Sequence, residues 1–177
     1  METTNFKIVT AQSCVNWTGK KVTGAHNGTI GLQEGNFIFT DGKLTGGSVV
    51  IATTSIIILD ITDAATNAQF AGHLASDDFF SVEKFPTASL EITRATQQRA
   101  SEYRIEGNLT IKNSTHPIGF NLEINTRGNG LNAVGKILID RTKYDMKFRS
   151  GNFFTNLGDT LIYNEFELDV NIIAEIA

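Results

Sequence analysis

The residue types that could carry out chemistry are few and scattered. His26, His73 and His116 are the three histidines, and none stands in a His-x-x-x-His or Glu-x-x-His spacing. Such a spacing would place zinc ligands on one helix face. Ser13, Ser76 and Ser150 lie outside any Gly-x-Ser-x-Gly elbow that would present a hydroxyl as a nucleophile. Cys14 is the single cysteine. It excludes an internal disulfide and a thiolate metal cluster, and reads as a small core or surface residue. Gly46-Gly47 is not followed by the Lys-Ser/Thr of a phosphate loop. These residues point away from catalysis and from a metal or organic cofactor.

Charge narrows the partners. The chain has 177 residues, a net charge of −4, and 41% hydrophobic against 19% charged residues. That describes one ordinary globular domain, over residues 1–177. The longest basic run is Lys20-Lys21, too short for the clustered cations that nucleic acid or anionic lipid rewards. No apolar stretch approaches the roughly 18 residues of a membrane-spanning helix, so no stable membrane span is expected. The opening Met1-Glu2-Thr3-Thr4-Asn5-Phe6 carries no export signal. The expectation is therefore a cytoplasmic protein if the chain is complete, or a periplasmic one if a signal has been removed. Asn16, Asn27, Asn108 and Asn113 each begin an Asn-x-Ser/Thr sequon; without a signal these are chance in an Asn- and Thr-rich chain.

The elements that would position any site are strands. Tyr103 to Ile111 alternates apolar or small residues with polar ones, as do Ile118 to Ile124 and Phe166 to Ile172. Leu131 to Asp140 follows the turn signal Gly128-Asn129-Gly130, and Asp41-Gly42-Lys43 joins Asn36–Thr40 to a long strand from Leu44. Asn16 to Lys20, Thr29 to Gln33 and Leu90 to Thr96 bring the set to about eight or nine strands. Asp63 to Leu74 is Ala-rich without alternation and predicts a short helix capped by Thr62 or Asp63. Ser76 to Phe80 predicts a further cap and helical turn, ended before Pro86. The fold expected is all-β: an antiparallel barrel closed to remove its edges, or a sandwich, with a short helical insert over 63–80.

The inward faces mix large and small residues. Gly107 stands with Leu109 and Ile111, and Ala133 and Gly135 stand with Ile137 and Ile139. Small residues leave room for a ligand in an eight-stranded barrel. They serve equally as bulges or points of tight curvature.

One segment is more specific. His73-Leu74-Ala75-Ser76-Asp77-Asp78-Phe79-Phe80-Ser81-Val82-Glu83-Lys84-Phe85-Pro86 resembles the HL-x-S-x-DFF signature of the YceI-like family of lipocalin-like lipid-binding proteins. Further segments follow in order. Ser13 to Gly24 resembles the family's early Ser-x-V strand. Gly107-Asn108-Leu109-Thr110-Ile111 with Pro117 resembles its G-x-LTI strand, and Asp140-Arg141 with Tyr144 its (D/N)R-x-x-(F/Y) turn. The resemblance spans essentially the whole chain. It implies an extended eight-stranded antiparallel lipocalin-like barrel whose lumen holds a lipid: a polyisoprenoid, a quinone tail or another long apolar chain. The chain departs from the pattern in its first strands, where Trp17-Thr18-Gly19-Lys20-Lys21 replaces much of an apolar stripe with polar residues.

Alternation and resemblance together nominate Trp17, Ile30, Phe79, Leu90, Ile92, Leu109, Phe120, Leu122, Ile137, Phe166 and Leu168 as lumen residues. Each is equally a candidate for packed core. His73 is expected to cap its helix through the dipole or to meet a ligand head group, and Asp78 to charge the following helical turn. Phe79 and Phe80 are expected to plug the core. Arg141 is expected to pair with a carboxylate and hold strand register, or to reach a polar lipid head. The functional expectation is non-catalytic carriage of a small apolar ligand; the alternative is a ligand-free structural or stress-linked interaction module. A homodimer through outer strands is compatible with either.

Overall fold

The computed structural model describes residues 1–151 and 161–177. Strands β1 (Thr3–Ile8), β2 (Cys14–Lys21), β3 (Gly24–Thr40) and β4 (Lys43–Ile58) are followed by helix α1 (Ala64–Ala75). Then come β5 (Thr87–Gln97), β6 (Glu102–Ile111), β7 (Ser114–Arg127), β8 (Gly130–Asp140) and β9 (Ile162–Ile176). Every pairing is antiparallel, and the order β2-β3-β4-β5-β6-β7-β8-β9 returns to β2, so the sheet is closed. Closure leaves the ladder no free edge.

Nine strands make an eight-stave barrel because β1 and β2 are one stave with a break. Both pair with β3 on one side and β9 on the other. The break is a 3-10 turn at Thr10–Gln12. Ser13 repairs the ladder there: its hydroxyl donates to Val9 O and accepts from Ile173 N at 3.0 Å.

Two expectations change. Thr29–Gln33 and Asn36–Thr40 belong to a single 17-residue strand, β3. Register shifts at Thr29/Gly31 and Leu32/Glu34 break its alternation, which is why its pattern resembles two strands. Ser76 to Phe80 forms turns rather than a helical turn. The amides of Ser81 and Val82 donate back to Ser76 O and Ala75 O, folding the chain against the end of α1. Helix α1 itself starts where expected, with the Asp63 carboxylate accepting from Thr66 N at 2.9 Å.

One end of the barrel is solid. Phe6, Phe39, Leu44, Ile105, Leu122 and Ala174 are buried there, with Phe6 and Phe39 edge to face at 5.2 Å. Gly107 and Gly135 serve this tight coiling rather than any lumen. A Cβ on either would strike a backbone carbonyl of the adjacent strand, that of Glu91 or Asn121.

Candidate functional site

The other end of the barrel is hollow. Leu109, Ile111 and Ile139 lie late in β6 and β8, while Ala88, Phe166 and Leu168 lie early in β5 and β9. Because neighbouring strands run antiparallel, all six reach the same end. There they line a cavity of about 390 Å³. An apolar cavity of roughly 150 Å³ accepts benzene with its six carbons. On that scale this one has room for about fifteen carbon atoms.

Trp17 and Val15 supply the wall from β2, and Ile30 supplies it from β3. The indole N–H of Trp17 donates to Thr29 O at 3.2 Å, and the ring lies against Gly28 where it lines the lumen. In β4 the lining changes phase, from Ile51 and Thr53 to Ile56, where the register against β3 slips. Thr53 is a buried polar residue on this wall. Its hydroxyl donates to Phe85 O at 2.7 Å and its amide to Pro86 O, so it presents a methyl-bearing side chain with no unsatisfied donor.

Helix α1 and the turn after it cover the cavity. Phe70, His73 and Leu74 on the helix, with Phe79 and Phe80 on the turn, all line it. Phe79 is buried, and His73 and Phe148 stand edge-on to it and to each other. Phe80 packs against Phe166 of β9. His73 Nε2 lies 3.1 Å from Asp78 Oδ2, so the pair ties the turn to the last turn of the helix. Asp78 therefore pins the turn, as expected, but heads no helix. On the other side, His26 packs at a tilt against Phe70, ring centroids 4.8 Å apart, and lies 2.8 Å from Asp60, whose second oxygen accepts from Asn27 N. Lys112, nearly buried, donates to Asp77 O and Asp145 O, both at 2.9 Å, and locks the turn to the far wall.

Arg141 is the buried cation of the site. It opens a 3-10 turn, Arg141–Tyr144, which the Asp140 carboxylate caps by accepting from Thr142 N. Its guanidinium donates to three backbone carbonyls: Met146 at 2.6 Å, Tyr163 at 3.0 Å and Ile162 at 3.1 Å. The expected carboxylate partner is replaced by these carbonyls, because Met146 O and the first two carbonyls of β9 need donors that a forked side chain supplies at once. Burial pushes its pKa down to about 10, with Asp140 opposing, so the group stays charged at neutral pH. Burial likewise raises the Tyr144 phenol, with Asp140 adding to it.

Of the nominated lumen residues, Trp17, Ile30, Phe79, Leu109, Phe166 and Leu168 line the cavity. Ile92, Phe120, Leu122 and Ile137 are buried in the packed core, and Leu90 packs half-buried against it. The alternation that nominates them states which face is inward, not which end is hollow. Met146 and Phe148 line the cavity from a segment without periodicity, and Ile56 from beyond the β4 slip, so no pattern signals them.

The sequence profile of the YceI-like domain matches residues 6–174. A UPF0312 protein of Photorhabdus laumondii is 30% identical over 139 residues, 74% of this chain and 65% of that protein. Another, from Vibrio cholerae, is 28% identical over 92 residues, 51% of this chain and 49% of that protein. The chain thus spans less than two thirds of the length of these relatives. Among solved structures, a polyisoprenoid binding domain from Saccharophagus degradans implicated in plant cell wall breakdown superposes with a TM-score of 0.71 at 14% identity, covering 97% of this chain and 98% of that one. BcnA of Burkholderia cenocepacia superposes with a TM-score of 0.70 at 17% identity, covering 94% and 98%. At these identities the likeness is one of fold.

Proposed function

We propose that this chain, which belongs to the YceI-like family, holds the apolar tail of a lipid in the hollow end of its barrel and carries it without chemical change. The observation that carries this reading is the cavity: about 390 Å³, walled by Trp17, Leu109, Phe166 and Leu168, closed below by packed core and covered by α1. An apolar pocket of this size fits the usual range for small-ligand sites. Its capacity favours an acyl or isoprenoid tail of about fifteen carbons, with any longer chain emerging at the mouth. Carriage rather than turnover is supported by how the polar groups of the wall are spent. Arg141 is held by three carbonyls, His73 by Asp78, Thr53 by Phe85 O and the Trp17 indole by Thr29 O.

Native mass spectrometry of the purified protein, followed by organic extraction, tests the proposal. The expected result is a 1:1 adduct whose mass belongs to a species with an isoprenoid or acyl tail. A bare mass, unchanged after incubation with C15 isoprenoids and fatty acids, would instead favour a ligand-free structural module.

A further inference from the structure

The mouth of the cavity has a charge opposite to that of the protein. Fifteen Lys and Arg face nineteen Asp and Glu in the chain as a whole. Among the residues lining the cavity, Lys20, Lys21, Arg141 and Arg149 face Glu165 alone. Two of these cations are already committed, Lys20 to Glu167 at 3.5 Å and Arg141 to its carbonyls. Lys21 and Arg149 are different: neither stands in an ion pair among the described residues.

The backbone brings these two together. Lys21 lines the cavity at the end of β2, after Val15, Trp17 and Gly19, and pairs with Ile162 of β9 beyond an irregularity in the ladder between Gly19 and Lys21. The amide of Ile162 donates to Arg149 O at 2.8 Å. Lys21 and Arg149 thus flank the same residue, Ile162, and both line the cavity. Arg149 adopts a left-handed backbone (φ 51°), unusual for a branched-headed side chain, and its guanidinium sits 4.9 Å over the Phe148 ring that lines the cavity. An apolar chamber whose rim carries two cations outside any ion pair among the described residues is complementary to an amphiphile whose head is anionic.

We propose, building on the reading above, that the ligand is a single-chain amphiphile with an anionic head, a carboxylate or a phosphate, held between Lys21 and Arg149. The tail lies in the chamber and the head stays at the wet rim, so neither charge is buried unpaired. Two partly exposed charge-assisted contacts favour the anion over a neutral head by about tenfold.

The test titrates the emission of Trp17, the single tryptophan, with three C15 ligands that share one tail: farnesol, farnesyl phosphate and farnesoate. Both anions are expected to bind about tenfold tighter than farnesol, and to lose that margin when salt is raised well past 0.1 M, where the Debye length falls below about 10 Å. Lys21→Gln with Arg149→Gln is expected to remove the margin at low salt. Whichever anion binds tighter identifies the head as phosphate or carboxylate. Equal affinity of all three ligands, or a margin that survives salt and both substitutions, would overturn the anionic head while leaving apolar carriage standing. No binding by any of them would overturn carriage itself.

Discussion

Gly19→Leu should make the protein more stable and a worse carrier at the same time. Gly19 sits on β2 in line with Val15 and Trp17 and lines the cavity, and a Cβ added there would meet nothing within 4 Å. Four new carbons entering apolar space are worth about 0.8 kcal/mol each when fully buried. Near the mouth, half of that total is realistic, about 1.5 kcal/mol. Replacing a strand glycine adds roughly 0.5 kcal/mol by narrowing the unfolded ensemble. A gain of about 2 kcal/mol raises Tm by about 4–8 °C in a chain of this size. The same four carbons occupy roughly 100 Å³, a quarter of the cavity. A C15 tail must then withdraw about four carbons, a loss of about 3 kcal/mol, or more than a hundredfold in Kd. Thermal unfolding of the ligand-free protein and a farnesol titration measure the two halves. A lower Tm, or an unchanged Kd for farnesol, would refute the placement of the tail.

Two further perturbations probe what holds the site. Arg141→Met strands three carbonyls, that of Met146 buried and those of Ile162 and Tyr163 partly so, and should cost about 3–5 kcal/mol, a Tm lower by about 10 °C; thermal unfolding with a shift under 2 °C would mean that the carbonyls find other donors. Acid should loosen the covering segment before the barrel. Asp60, Asp63 and Asp77 all have carboxyls held below 3.8. At Asp60 desolvation pushes upward but is outweighed by the Asn27 amide and His26; at Asp63 the Thr66 hydroxyl and amide act, and at Asp77 the Ser81 hydroxyl and Lys84. Each depressed pKa contributes stability that is present above 3.8 and lost as pH falls through the lower folded value. Hydrogen exchange should therefore rise first in residues 60–81 as pH drops below 3.8, and uniform loss of protection would contradict this.

The staves were the legible part of the sequence, because period-2 alternation in Tyr103–Ile111 or Phe166–Ile172 is a direct image of a half-buried strand. The helix was legible too, from the Asp63 cap and the Ala-rich run. What alternation could not say was depth along the barrel. Leu122 and Leu109 read alike, yet one is packed core and the other cavity wall, since depth depends on how far each stave is offset from its neighbours. Bulges in β3 and β4 disguised Ile56 for the same reason. The cover of the site was legible only as the His73–Pro86 motif, whose residues do little in isolation and act through contacts such as His73 with Asp78 and Phe80 with Phe166.

The central claim is that a lipid tail occupies the chamber beside Trp17, and a brominated tail tests it most directly. Bromine quenches indole emission only at contact range, and Trp17 is the single indole, on the chamber wall. Titration with a C15-length chain brominated near its end should quench Trp17 at 1:1 stoichiometry, with much less quenching by the same chain in Gly19→Leu. Binding at that stoichiometry with the emission of Trp17 untouched would place the tail somewhere other than the barrel and contradict the account.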